Sequence, residues 1–364
     1  MKKFAYNPKT KTMKAVFFRV SRTIVLAAAI LAGTWSVSYA QSKIPGYLSV
    51  GGWIDGQYSY ERQENNNKGV EATSTFHTRR ARLDVKGGIT EKIEFRLQAD
   101  VSGTPKMIDA FVKCKLNKQI NFELGQFKTP FTLENQYSPL NQEGIDNSIV
   151  INKLAGFSDV LGGKRGAGRD IGIMLYGTAF EDNSGSFPIL SYYLGVFNGN
   201  GINTKDDNQS KDLIGRLDIH PFLKELTLSA SGVRGSYDNG VDSHARNNRY
   251  SVGAEYKDDA LTLRSEFVHA DIQYASVSTE YVGFYVVAGY WFPIGESAKM
   301  RPVLRYDHYN EIGVIQRMKQ IQYLAGLDIW PESHLRFQVN YTLMDRAKYD
   351  KPGHLLQTML TVKF

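Results

Sequence analysis

Ile93, Phe95, Leu97, Ala99 and Val101 alternate with Glu94, Arg96, Gln98 and Asp100 without an error. Successive side chains fall on opposite faces only when the backbone is extended. This period of two therefore demands a β-strand with one apolar and one charged face. Leu335–Leu343 repeats the pattern, Leu356–Phe364 does so less cleanly, and Val282, Phe284, Val286, Ala288 and Tyr290 form another apolar face. Sixteen such segments can be read, beginning near residues 47, 77, 92, 107, 120, 170, 189, 211, 225, 248, 260, 280, 300, 318, 334 and 355. No convincing amphipathic helix and no linker interrupts them, so the expected fold is all-β and a single domain.

The connections alternate in length. The first, fifth, seventh and ninth are long and polar, at 63–76, 132–169, 201–210 and 238–247. Those between them are tight, as in Gly87-Gly88-Ile89-Thr90, Asn117-Lys118-Gln119 and Lys257-Asp258-Asp259. Hairpins with two unlike ends are the pattern of transmembrane barrels, which have long outer loops and short periplasmic turns. A soluble sandwich would also alternate, but its apolar face would line a core and its polar face would meet outside water. Two features favour the barrel. Aromatic residues and prolines gather at the short-turn end, in Phe187-Pro188, Pro221-Phe222, Trp291-Phe292-Pro293 and Trp330-Pro331, as an interfacial girdle requires. Charges also share one phase within the strands, among them Arg80, Arg82, Asp84, Lys86, Arg96, Lys113, Lys115, Arg264, Arg305 and Arg336. In a barrel of this size that phase faces a water-filled lumen and the apolar phase faces lipid. An open edge in lipid would leave costly unpaired amides, so the sheet must close. The expectation is a 16-stranded antiparallel transmembrane β-barrel in the cell outer membrane, in contact with its lipid.

The first forty residues read differently. They carry Lys2, Lys3, Lys9, Lys11, Lys14, Arg19 and Arg22 and no acid. The apolar run Thr23–Ala32 follows, then small residues leading to Ser38-Tyr39-Ala40. This is the layout of a secretory signal peptide, with cleavage expected between Ala40 and Gln41. The apolar run is too short to span a bilayer comfortably, since about 20 residues are needed. Taking those seven bases from the chain's 44 Lys and Arg leaves 37, equal to its 37 Asp and Glu. The formal charge of +7 belongs to the leader, and residues 41–364 are neutral. A neutral body offers no basic face for nucleic acid. One cysteine, Cys114, allows no internal disulfide.

Enzyme signatures are missing. The histidines His77, His220, His244, His269, His308, His334 and His354 show no metal-ligand spacing, and there is no G-x-S-x-G. Gly162-Gly163-Lys164-Arg165-Gly166 lacks the spacing of a phosphate loop. Asp206-Asp207-Asn208 lacks that of an EF-hand and reads as a solvated loop tip. No cofactor and no metal is implied. The basic residues carry the better case. Arg80, Arg82 and Lys86 share a phase of one strand, Lys113 and Lys115 of another. An arginine fork suits phosphate oxygens, so such a ladder can pass anions. Eleven acids share the same phase, namely Asp84, Glu94, Asp100, Asp109, Glu123, Asp212, Asp218, Glu255, Glu266, Asp307 and Asp328. The segment 132–169 is balanced too, with Lys153, Lys164, Arg165 and Arg169 against Glu134, Glu143, Asp146 and Asp159. A plain wet wall is the competing reading, since selectivity depends on local rings rather than totals.

Ile108-Asp109-Ala110-Phe111-Val112 followed by Phe122-Glu123-Leu124-Gly125-Gln126-Phe127-Lys128-Thr129-Pro130-Phe131 resembles the phosphate-selective porin O and P family. Phe76-His77-Thr78-Arg79-Arg80-Ala81-Arg82-Leu83 resembles its second strand, Arg169-Asp170-Ile171-Gly172 its re-entry strand, and Arg301–Asp307 a late strand. The resemblance covers essentially all of residues 41–364. It implies a sixteen-stranded barrel, a homotrimer, a third outer loop (here 132–169) constricting the pore, and uptake of phosphate or related anions. The site residues that carry over on the family's motifs are Arg79, Arg80, Arg82 and Lys128, and the inward phase and the long loop add Lys86, Arg96, Lys113, Lys115, Lys164, Arg165 and Arg169 as candidates for pore and anion binding. Arg79 lies on the phase opposite Arg80 and Arg82 and is expected at the rim. Lys128 follows Gly125, where a bulge can turn it either way. The terminal Phe364, with Val362, Leu360 and Leu356, resembles the signature read by the barrel-assembly machinery. The expected function is passive diffusion of small anionic or neutral solutes. The alternatives are a non-conducting adhesin or glycan-binding barrel plugged by its loops, motivated by segments such as Glu64–Gly69, and an outer-membrane hydrolase.

Overall fold

The computed structural model describes residues 46–65, 69–162, 166–274, 277–313, 317–347, 349 and 351–364. The expected leader and its cleavage point at Ala40 and Gln41 lie outside them, as do Lys164 and Arg165. Among the described residues the chain forms β1 (Tyr47–Asn65), β2 (Gly69–Gly88), β3 (Ile93–Asp100), β4 (Lys106–Lys115), β5 (Asn121–Lys128) and β6 (Arg169–Glu181). There follow β7 (Pro188–Phe197), β8 (Asp212–Ile219), β9 (Leu226–Tyr237), β10 (Ala245–Lys257), β11 (Leu261–Tyr274) and β12 (Val277–Tyr290). The last are β13 (Phe292–Ile294), β14 (Ala298–Ile312), β15 (Arg317–Glu332), β16 (Leu335–Arg346) and β17 (Gly353–Lys363). β12 and β13 both pair with β14 and form one strand broken at Trp291. Sixteen antiparallel strands therefore pair in chain order, and β1 pairs with both β2 and β17 to close the ring. The seam ends on Phe364, which exchanges two backbone hydrogen bonds with Gly52 at 2.9 and 3.0 Å.

The faces divide as alternation requires. Leu97, Leu124, Ile173, Leu217, Leu304 and Leu360 point outward and are exposed, whereas Asp55, Arg82, Gln98, Arg264, Asp307 and Arg336 point inward and are buried. A water-soluble fold would reverse this, so the outer surface is built for lipid. Exposed Phe180, Phe222 and Phe292 ring the short-turn end.

Fifteen of the expected strand starts lie within three residues of those observed; the second does not. The segment 63–76 is not a long loop: β1 runs to Asn65 and β2 begins at Gly69. From Gly69 to Thr78 every side chain is exposed. Val70, Ala72 and Phe76 alternate with Glu71, Thr73, Thr75 and His77, but the small and polar Ser74 and Thr78 interrupt the apolar phase and leave the alternation too weak to mark a strand.

Between β5 and β6 the chain turns into the barrel. It forms a 3-10 turn at Glu134–Gln136 and a short helix, α1 (Ile149–Leu154). Ser148 caps α1 by accepting the Val150 amide. Val150, Ile151 and Leu154 are fully buried with Val268, Ala270, Tyr285 and Tyr309 of the inner wall. No helix was expected here. Ser148 before an apolar run is its only sequence signal, and α1 is too short to show a period of 3.6.

Candidate functional site: a basic passage beside an inward-folded loop

The inward segment is held along one side by arginines. Arg249 of β10 makes two bonds to Asp159, at 2.6 and 2.9 Å, and one to the Leu154 carbonyl. Arg264 of β11 pairs with Glu143 at 2.5 Å. Arg301 and Arg305 of β14 donate to the carbonyls of Gln142, Asp146 and Asn147. Arg336 of β16 donates to those of Pro139, Leu140 and Gln142. Acids on the wall complete the attachment. Glu266 accepts the amides of Leu133 and Glu134, and Tyr137 donates its hydroxyl to Glu255. A loop without regular structure leaves backbone groups unpaired, and here inward charges satisfy them.

Two loop carboxyls are strongly perturbed. Burial pushes Glu134 up to about 7 against the pull of Arg264 and Arg305. Burial also opposes the charge on Asp146, but Arg79, Gln357 and Arg305 outweigh it and hold that carboxyl at about 2. Arg79 Nη2 meets Asp146 Oδ1 at 2.5 Å.

The opposite side of the loop faces β2–β6 across a cavity of about 280 Å³. Arg79, Arg80, Arg82, Lys106, Lys128 and Arg169 line it, and Asp100 is the one acid among its lining residues. The arginines are steadied by carboxylates beside them. Arg80 touches Asp55 at 3.1 Å, Arg82 touches Asp100 at 3.3 Å, and Arg169 grips Asp109 at 2.5 Å. Including Asp55, Asp109 and Asp146, six bases meet four acids, and the acids lie behind or beside the passage.

Five of the expected site residues thus converge. Arg79 is not a rim residue: it lines the same cavity as its neighbours. β2 pairs with β3 only from Arg82 downward, so above that level no adjoining strand on that side confines the side chain. Lys128 also turns inward. Gly125, at φ 128°, lets β5 approach β4 so closely that a Cβ there would lie 2.2 Å from the Ala110 carbonyl oxygen. Arg96 and Lys113 line a second chamber nearer the short turns. Lys86 and Lys115 line neither cavity; they pair with Asp84 at 3.1 Å and Glu94 at 2.6 Å. Both sit near the short-turn ends of their strands, too far along the wall to reach the loop.

Lys106 escaped the sequence reading. Counted back from Asp109 and Lys113 it falls on the lipid phase. A register shift between β3 and β4 pairs Gln98 with Asp109 but Ala99 with Met107, and Lys106 comes opposite the inward Asp100. A one-residue bulge flips the face of everything beyond it.

A closed barrel with lipid outside, charges inside and an aqueous passage beside an inward loop is an outer-membrane porin in architecture. The chain belongs to the phosphate-selective porin O and P family, whose model matches residues 54–364. It is an outer-membrane protein. No curated protein matches it. Among solved structures its fold is similar to an anion-selective porin from Comamonas acidovorans, at 14% identity and a TM-score of 0.68 over 88% of this chain and 100% of that one. It is also similar to in-vitro folded OmpT of Vibrio cholerae in its trimer form (13%, TM-score 0.59, 88% and 99%). Salmonella typhi OmpF in complex with daunomycin is a third (14%, TM-score 0.55, 87% and 97%). At these identities the likeness is one of fold. Family and fold together point to a channel.

Proposed function

We propose that the protein lets small solutes diffuse passively across the outer membrane, without catalysis, and that it favours anions. The six bases against one acid lining the passage at Arg80 and Arg82 carry this reading. Segment 132–169 narrows the lumen by filling the β10–β16 side and leaving the basic side open. Guanidinium forks presented together suit phosphate and other oxyanions. The same reading makes residues 1–40 a leader cleaved before Gln41, Phe364 a signal for the barrel-assembly machinery, and the working form a homotrimer. Replacing Arg80 and Arg82 together by Gln tests the preference. Exposed charge is screened over about 10 Å at 0.1 M salt, so the effect should grow as salt falls. The reversal potential in a salt gradient should move toward cations, and phosphate should block chloride current less. Unchanged values in both would make these arginines plain wall. A plugged surface barrel would give no conducting steps at all until segment 132–169 was removed.

A further inference from the structure

Lys128 lines a second cavity as well, of about 330 Å³, on the short-turn side of the passage. Its volume lies at the lower end of the roughly 300–1,000 Å³ of small-molecule sites. Its wall differs in kind from the arginine-lined passage. Tyr176 of β6, Tyr193 of β7 and Arg216 of β8 stand in one cross-strand row. Residues directly opposite share a face, so all three side chains enter the lumen together. The two tyrosine rings lie within 11° of parallel, their centroids 6.4 Å apart. The Arg216 guanidinium lies over Tyr193 at 4.3 Å, and Lys113 over Tyr176 at 5.7 Å and Phe111 at 5.2 Å. The chamber thus combines two near-parallel tyrosine rings with two cations set over them.

Four bases, Arg96, Lys113, Lys128 and Arg216, line the chamber against two acids, Asp109 and Glu123. Arg96 and Arg169 both hold Asp109, and Lys113 touches Glu123 at 3.3 Å. Arg216 is 7% exposed. It meets one carboxylate, Asp218, at 3.2 Å from Nε, and its Nη1 makes no hydrogen bond among the described residues. A passage for hydrated inorganic ions has no use for ring faces, which hold water poorly. A solute with both a ring and a negative end can use the whole wall. The ring covers Tyr176 and Tyr193, and the anionic end lies between Lys113 and Arg216.

We propose that this chamber is a subsite for anions bearing a flat ring, of which an aryl carboxylate is the simplest. The proposal rests on the channel reading above, and its test separates the two. Benzoate and cyclohexanecarboxylate have the same charge and similar size, but only the first has a π-face. Benzoate should block chloride current at concentrations about two- to tenfold lower than cyclohexanecarboxylate. In Tyr176→Leu/Tyr193→Leu, which keeps apolar bulk, the two should block alike while chloride conductance persists. Equal block in the unaltered protein overturns the subsite, and needs no variant to fold. Saturation-transfer NMR of benzoate with detergent-solubilised protein reads the same site without current. A benzoate signal that the double variant loses supports the subsite, and one that it keeps, or no signal at all, overturns it. Missing conductance steps would instead overturn the channel reading.

Discussion

Glu143→Gln should loosen the inward loop without harming the barrel. Glu143 Oε2 lies 2.5 Å from Arg264 Nη2 and Oε1 lies 3.5 Å from Arg301 Nη1, with all three side chains at most 4% exposed. Removing one partner of a buried ion pair costs about 3–5 kcal/mol when the other is left bare. Here the loss is smaller. Arg264 keeps Glu255 at 2.9 Å and the Tyr285 hydroxyl at 3.0 Å, and Arg301 keeps Asp328 at 2.7 Å. About 2–3 kcal/mol remains, near the value of one charge-assisted hydrogen bond. That lowers the ratio of docked to undocked loop about 30- to 150-fold. None of the ladder bonds between β10, β11 and β12 involves Glu143, so the barrel should resist denaturant as before. Limited proteolysis should open a site within 132–162, and single-channel current should become noisier. A Glu143→Gln protein with native protease resistance and native traces would show that the loop is held by its other contacts, and would refute the reasoning.

Three further outcomes are expected. Leu97→Arg places a charge on the lipid face, where residue 97 is 45% exposed, and should cost about 2–4 kcal/mol near the midplane in a refolding titration. Glu134 should make loop docking pH-dependent. Its docked pKa, about 7, lies above the ordinary 4.5, so its contribution is full below about pH 4.5 and declines as pH rises through 7. Protease protection of the loop should weaken between those values by up to about 3 kcal/mol, and Glu134→Gln should flatten the profile. Deleting Phe364 removes the two closing bonds to Gly52 and should lower the yield of assembled barrel, measured by heat-modifiable gel mobility, while barrels that do form conduct normally.

The strands were legible in the sequence because the bilayer imposes a period of two wherever one face meets lipid. Ile93–Asp100 and Leu335–Arg346 show it cleanly. Legibility ended where that constraint ended. Gly69–Thr78 is exposed throughout, and its broken apolar phase hides the strand. Lys106 was misphased by a bulge that no composition marks. Residue 98 shows the subtler limit. Its phase implies a position open to the water-filled lumen, yet Gln98 is 1% exposed and accepts from Arg82 Nη1 at 3.1 Å. Alternation tells which face a residue takes. It does not tell how the long side chains of neighbouring strands, here Arg82, cover that face.

The same limit applies to charge totals. The body sums to zero, and acids and bases share the inward phase in comparable numbers. The structure separates bases that the totals merge. Arg249, Arg264, Arg301, Arg305 and Arg336 are committed to the loop and to acids beside them, such as Asp307 and Asp328. They hold a backbone in place and offer a passing ion little. Arg79, Arg80, Arg82, Lys106, Lys128 and Arg169 line the cavity on the other side, with Asp100 the one acid among its lining residues. A field that acts over about 10 Å is decided by which charges face the opening, and a neutral barrel can therefore present a basic gate. The inward loop makes most of that division: it binds Arg249, Arg264, Arg301, Arg305 and Arg336 on one wall, whereas on the other it holds Arg79 through Asp146 and Lys128 through the Tyr137 carbonyl and leaves a cavity beside them.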